Sequence, residues 1–413
     1  MGEKQTDTVL IRGARQLLTL RGPQGPRRGA RLKDLGIVHD GALLIRNGVV
    51  VEAGPTRRVE NLAEAREATE INAAGRVVMP GFVDSHTHLL WPPAGPDGSD
   101  PQRAVRYMRI STGQRIATRA REHLEAMARH GTTTVEVKTG FGPDESVEAK
   151  LLRVLGALRK HPLKTVPTFL AKLPEERPEE ALDVAINVLL PRFRRGRLAQ
   201  FADILWSEDR SLAPYLKRYL HSAQSMGFTC KIHAHRPQAS AAIVEGAAHR
   251  AISVDHLEYA EEEEARLMAG SAMIATFLPA DAFRQRGPAA PARIFADAGV
   301  AIALASNFNP HQTPTFNMQA VVSLATREFG LTPEEAICAA TINGAHALGV
   351  AGTTGSLECG KSADALILNA SDYRELAENF GGNLVRMTMR HGEPIYREAA
   401  VGPGALEANP RWL

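Results

Sequence analysis

The sequence predicts an α/β fold: a (β/α)8 TIM barrel carrying a small β-sandwich domain built from both termini. Three observations lead there. Short apolar runs alternate with helical stretches through the middle of the chain, and eight such units over about 270 residues match the size of a barrel of this kind. Both ends of the chain are instead rich in strands and turns. The 413 residues suffice for one large domain and a smaller one. The expected segments are 1–79 and 355–413 for the two parts of the β domain and 80–354 for the barrel.

In order, the N-terminal part contains "GALLIRNGVVVEAG", two β-prone runs around Asn47 and Gly48, the strongest short hairpin signal. The barrel runs are "GFVDSHTHL", "TTTVEVKTG", "KTVPTFLA", "FADILWS", "CKIHAH", "AISVDHLEY", "MIATFLP" and "AIALASNFNP". Amphipathic stretches such as "DESVEAKLLRVLGALRKH" and "SLAPYLKRYLHSAQSMG" lie between them. An open doubly wound sheet is the alternative, but no Gly-rich phosphate loop follows the first run, and "GFGPDE" after the second lacks the dinucleotide fingerprint. At the C-terminus "ADALILN" and "LVRMTMRHGEPIYR" read as strands, the latter folded at His391 and Gly392.

Composition narrows the class. Apolar residues make up 44% and charged residues 23%, as in ordinary globular enzymes, and a net charge of +3 gives no nucleic-acid or membrane surface. Cys230, Cys338 and Cys359 are far apart and odd in number, which suits a reducing compartment, the cytoplasm, rather than a disulfide framework. No apolar run reaches the length of a membrane span, and the first residues lack the apolar core of a signal peptide.

Active sites of such barrels lie at the C-terminal ends of the strands. The polar residues there are His86 and His88 on strand one, His233 and His235 on strand five, His256 on strand six and Asn307 on strand eight. Side chains two apart on a strand face the same way, so His86 and His88 can point inward at one ion. Imidazoles from several strand ends suit one divalent metal, Zn or Fe.

With these motifs in place the chain resembles the amidohydrolase superfamily, and within it the imidazolonepropionases. "PGFVDSHTHL" resembles the superfamily's first-strand motif, and "GTTTVEVKTGFG", "KIHAH", "VDHLEY", "ALASNFNP", "LTPEEAICAATINGAHALG" and "GSLECGKSADALIL" follow in the family's order and spacing, over about residues 40 to 395. The resemblance implies a mononuclear metal centre that hydrolyses a cyclic amide C–N bond, with His86, His88 and His233 as ligands and His256 at the strand-six position. It also implies a homodimer. No lysine ends strand four ("FADILWSED"), which argues against a carboxylated-lysine dinuclear site. Lys138 ends strand two, where the family also has a lysine.

Several positions depart from the family pattern. Asn307 stands where the family has a metal-binding, proton-carrying aspartate, and an amide cannot accept and return a proton at neutral pH. Arg236 replaces a glutamate, Lys172 a histidine and Phe141 a tyrosine, and "HLLWPPAGPDG" lacks the glycine-rich, arginine-bearing run after strand one. The changes make the expected pocket more positive, which predicts an anionic small-molecule substrate. They fit either a cyclic-amide hydrolase with altered substrate and base, for which His235 is a candidate replacement base, or a metal- or anion-binding homologue that has lost hydrolysis. An engineered Asp→Asn exchange at position 307 would not account for Arg236 and Lys172.

Overall fold

The computed structural model describes residues 8–92, 101–140, 145–173, 177–206, 213–234, 239–286 and 290–399. The chain opens with β1 (Thr8–Leu18), β2 (Ile37–Arg46), β3 (Val49–Pro55), β4 (Thr69–Asn72) and β5 (Val77–Pro80). Eight strands follow at the positions of the eight apolar runs: β6 (Phe82–Asp84), β7 (Thr132–Lys138), β8 (Lys164–Lys172), β9 (Phe201–Trp206), β10 (Thr229–Ala234), β11 (Ser253–Asp255), β12 (Ile274–Phe277) and β13 (Ala301–Leu304). β14 (Ala365–Leu368), β15 (Val385–Arg390) and β16 (Glu393–Arg397) complete the described strands.

The two ends of the chain share one mixed sheet, in the order β16-β15-β14-β5-β1-β2-β3 with β4 also on β1. The join is the antiparallel pairing of β5 with β14, Pro80 opposite Ala365. Ile11, Leu43, Val50, Val78, Ile367 and Met389 belong to one buried cluster. Strands from opposite ends of the sheet order meet in that cluster, so the sheet wraps around its own core as the layers of a sandwich do. Both expected hairpins form. Asn47 and Gly48 have φ of +52° and +77°, and His391 and Gly392 repeat those values. Positive φ at both central residues is the turn that suits strand twist. The two turns also touch: a Cβ on Gly48 would lie 2.5 Å from the His391 carbonyl oxygen, so glycine is required there by contact as well as by φ.

β6 to β13 lie side by side in sequence order, each parallel to the next. The circuit closes just beyond the ends of β6 and β13. Asn307 N donates to His86 O at 3.1 Å, and His88 N donates to Phe308 O at 2.8 Å. Beneath this seam the Ser306 N–H and hydroxyl both donate to the Asp84 carboxylate. Closure therefore runs through the very residues that carry the first-strand and last-strand motifs. The outer helices bury the faces that their periodicity marks: Leu151, Leu155 and Leu158 in Glu145–Leu158, and Leu216, Tyr219 and Leu220 in Ala213–Ser225. No helix among the described residues is long and apolar enough to cross a membrane.

Candidate metal centre

Polar side chains enter the barrel interior at every second position of several strands, because residues two apart share a face. Glu136 and Lys138 come from β7, Lys231 and His233 from β10, Ser253 and Asp255 from β11, and Asp84, His86 and His88 from β6 and the residues after it. All are buried.

The lower level is a charge network. Lys138 Nζ lies 2.5 Å from Asp203, 3.1 Å from Asp255 and 3.2 Å from Glu136. Lys231 Nζ lies 2.9 Å from Glu136 and donates to Ser85 O at 3.2 Å. Thr168 donates its hydroxyl to Glu136, and Ser253 donates to Asp255. Burial alone would drive the Lys138 proton off, but Asp203, Glu136 and Asp255 outweigh it and raise the pKa. Burial would likewise protonate Asp255, yet Lys231, Lys138 and the His86 hydrogen bond hold its pKa well below the usual carboxylate range. Mutual compensation is what makes five buried ionisable groups tolerable here.

The upper level is neutral. His86 Nδ1 sits 2.8 Å from Asp255, which fixes the tautomer with Nδ1 as donor and turns Nε2 toward the rim. His86 Nε2 and His88 Nε2 are 3.3 Å apart. Two nitrogens at about 2.0–2.1 Å from a tetrahedral ion stand about 3.3 Å from each other, so the pair is spaced as zinc or iron ligands are. His233 completes the set: donor atoms of His86, His88 and His233 all lie within 4.8 Å of one another. Burial, then the neighbouring imidazoles and Lys138, pull all three pKa values well below the ordinary histidine value, with Lys172 adding to the effect at His88. Neutral imidazoles are the form that binds a metal.

Among the described residues, two other groups of donors lie as close together, His86–Glu136–Asp255 and His256–Glu258–Asp281. The first is part of the charge network and is already neutralised by Lys138 and Lys231. In the second, Asp281 accepts from Thr313 and from Gln285. Only the three histidines offer a set of uncharged ligands.

Asn307 stands beside this set at the end of β13, joined to His86 through the backbone. Its Oδ1 is buried and has no hydrogen-bond donor among the described residues. An orphaned buried acceptor is expensive unless something electropositive meets it, and a divalent cation held by the three imidazoles fits that need. Asn307 and His256 both hold left-handed backbone, φ +51° and +64°. Such strain at strand ends is typical of functional positions.

His256 packs against His233, ring centroids 4.2 Å apart and planes 30° from parallel. Its Nδ1 lies 3.5 Å from Glu258. Burial would lower the His256 pKa, but Glu258, Asp281 and Asp255 outweigh it and raise it. Lys172 ends β8 with its Nζ 5.4 Å from the Trp91 ring centroid. The side chain keeps accessible area, yet protein surrounds it closely enough to bring the ammonium down to about 8, with Glu148 opposing. Phe141, His235 and Arg236 lie outside the described residues. Glu136, Asp203, Lys231 and Glu258 were not marked in the sequence, although Glu136–Lys138 and Lys231–His233 have the two-residue spacing of inward-facing pairs.

Comparison with known proteins gives the class first. Residues 77–395 match the model of the amidohydrolase family, and the chain belongs to that family. Within it, the chain is 34% identical to an imidazolonepropionase of Parabacteroides distasonis, over 94% of this chain and 99% of the relative. It is 35% identical to an imidazolonepropionase of Symbiobacterium thermophilum, over 95% and 98%. The fold also matches solved structures of much lower identity. A triazine hydrolase variant superposes with TM-score 0.77 at 16% identity, covering 94% of this chain and 95% of that one. The E. coli guanine deaminase does so with TM-score 0.71 at 16% identity, covering 96% and 100%.

Proposed function

We propose that this protein is a metal-dependent hydrolase that opens a cyclic amide at its C–N bond, with a substrate and a proton carrier different from those of its imidazolonepropionase relatives. His86, His88 and His233 would hold one divalent ion, and Asn307 Oδ1 would face it. A bound divalent metal supplies activated water near neutral pH and polarises the amide carbonyl.

The remaining work falls to the chain's own groups. Asn307 cannot carry a proton, so that task passes to His256, whose Nδ1 faces Glu258. His256 Nε2 takes a proton from the attacking water and returns it to the leaving nitrogen. Glu258 orients the imidazole and raises its pKa against the effect of burial, and general acid–base help from a positioned side chain is worth about 10²–10⁴-fold. His235, two residues beyond His233, is the second candidate for this role on its position in the sequence.

The substrate is an anion on this reading. Three neutral imidazoles and an amide leave a divalent ion's charge whole, and the Lys172 ammonium adds to it. Arg236, three residues after His233, would provide a planar fork for a carboxylate or phosphate. The observation that carries the proposal is the buried, unpartnered Asn307 Oδ1 beside three imidazoles whose ligand atoms converge.

The test is turnover by metal-loaded protein on a panel of cyclic amides with and without an acidic substituent, imidazolone propanoate included. We expect an acid-bearing ring to be opened, imidazolone propanoate to be a poor substrate, and His256→Gln to lose about 10²-fold or more with its metal retained. Rapid opening of imidazolone propanoate contradicts the altered base. Ligand binding without turnover across the panel supports instead a metal- and anion-binding homologue that has lost hydrolysis, the reading that Asn307 also favours.

A further inference from the structure

A cavity lies at the end of the barrel opposite the histidine cluster, where the starts of β8 and β9 meet the end of β15. It has a volume of about 320 Å³, and its wall includes Arg159, His161, Lys164, Arg197, Gln200 and Arg390. No carboxylate of the described residues lines it. None of its four cations forms an ion pair among the described residues.

Two of the three guanidinium groups are held in place by neutral partners. Arg159 donates to Arg197 O at 2.5 Å, and Arg390 donates through Nη1 to Pro162 O at 2.7 Å. Arg390 Nε is buried and has no acceptor. Two carboxylates act on the cluster from further away, Asp364 on Lys164 and Glu125 on His161, while Arg121 adds another positive charge. Asp364 is already engaged by Thr354, by Ser362 and by the His391 backbone N–H. Clustered like charges with fixed donors and an open space between them form a site that an anion would relieve.

We propose that this cavity binds a small phosphate-class anion. Arginine forks suit tetrahedral oxyanions, and several cations favour a multiply charged ligand over a monocarboxylate. The site is separate from the histidine cluster. β8 carries Lys164 at its first position and Lys172 at its last, and eight steps of about 3.3 Å place them about 26 Å apart.

The test is calorimetric titration of the metal-loaded full chain with inorganic phosphate, at an ionic strength held constant with chloride. We expect saturable binding by the parent and a loss of about tenfold or more in affinity for the Arg159→Gln, Arg197→Gln double variant. Both side chains are exposed, so the double variant keeps its fold. Arg159→Lys with Arg197→Lys keeps charge but not the fork and should fall between. His86→Ala with His88→Ala removes any phosphate binding at the metal centre and should leave unchanged the component that depends on Arg159 and Arg197. Absence of saturable binding by the parent overturns the proposal, as does unchanged affinity in the glutamine double variant. Binding lost in the histidine variant and kept in the glutamine variant places the anion at the other end of the barrel and overturns it too.

Discussion

Two levels of one barrel interior treat polar groups in opposite ways. On the lower level Lys138 and Lys231 meet Glu136, Asp203 and Asp255, and each charge finds its counter-charge within the protein. On the upper level the imidazoles of His86, His88 and His233 are held neutral, and Asn307 Oδ1 is buried with no donor. The side chains of the two levels are joined by the hydrogen bond between Asp255 and His86 Nδ1. The contrast separates scaffold from function. A network whose charges all pair internally has nothing left to offer a ligand, whereas the upper level is complete only when a cation enters it.

Removing one member of the lower level should have the largest effect. Lys138→Met leaves three buried carboxylates facing Lys231 alone and is expected to cost about 3–5 kcal/mol in denaturant unfolding. A loss near zero would mean that water or proton uptake compensates the network, and the distinction between levels would blur.

The upper level should respond to acid. The histidines of the unfolded chain take up protons below about 6.5, while the folded rim histidines, held lower, do not. The unfolded state then binds more protons, so stability falls as pH drops below that value. His123 and His346, each brought down to about 4 by burial, add to the slope. Asp84, pushed up to about 7 by burial, works against it, because its contribution is lost as pH rises through that value. Urea midpoints at several pH values should therefore decline toward acid, and more steeply in Asp84→Asn. A flat or inverted profile would contradict the assignment of neutral imidazoles.

The smallest effect on folding is expected at Asn307. Its Oδ1 makes no hydrogen bond, so Asn307→Gly, which tolerates the φ of +51°, should change metal-free stability by no more than about 1 kcal/mol. Metal affinity should fall in the same variant and rise in Asn307→Asp, measured by competition with a chelator. A large loss of metal-free stability would show that the amide serves the scaffold.

Much of this was legible in the sequence for local reasons. Eight apolar runs became eight strands, and Asn47-Gly48 and His391-Gly392 became tight turns, because strand propensity and positive φ are properties of neighbouring residues. The histidines at the ends of strands one, five and six were legible through their place at the ends of apolar runs. The lower level was not. Asp255 was visible only as the residue before His256, and its partner His86 is 169 positions away. Glu136, Asp203 and Lys231 sit inside runs that read as apolar strands, and their pairing depends on which strands face one another across the barrel. The contact of Glu258 with His256 depends likewise on the left-handed turn at His256.

The central claim is that the upper level is a mononuclear metal centre made from His86, His88 and His233. Elemental analysis of protein produced with zinc or iron supplied, without chelator, tests it most directly. About one divalent ion per chain is predicted for the parent, and close to none for the His86→Ala, His88→Ala double variant. A parent that stays metal-free, or a double variant that keeps the parent's metal content, would contradict it.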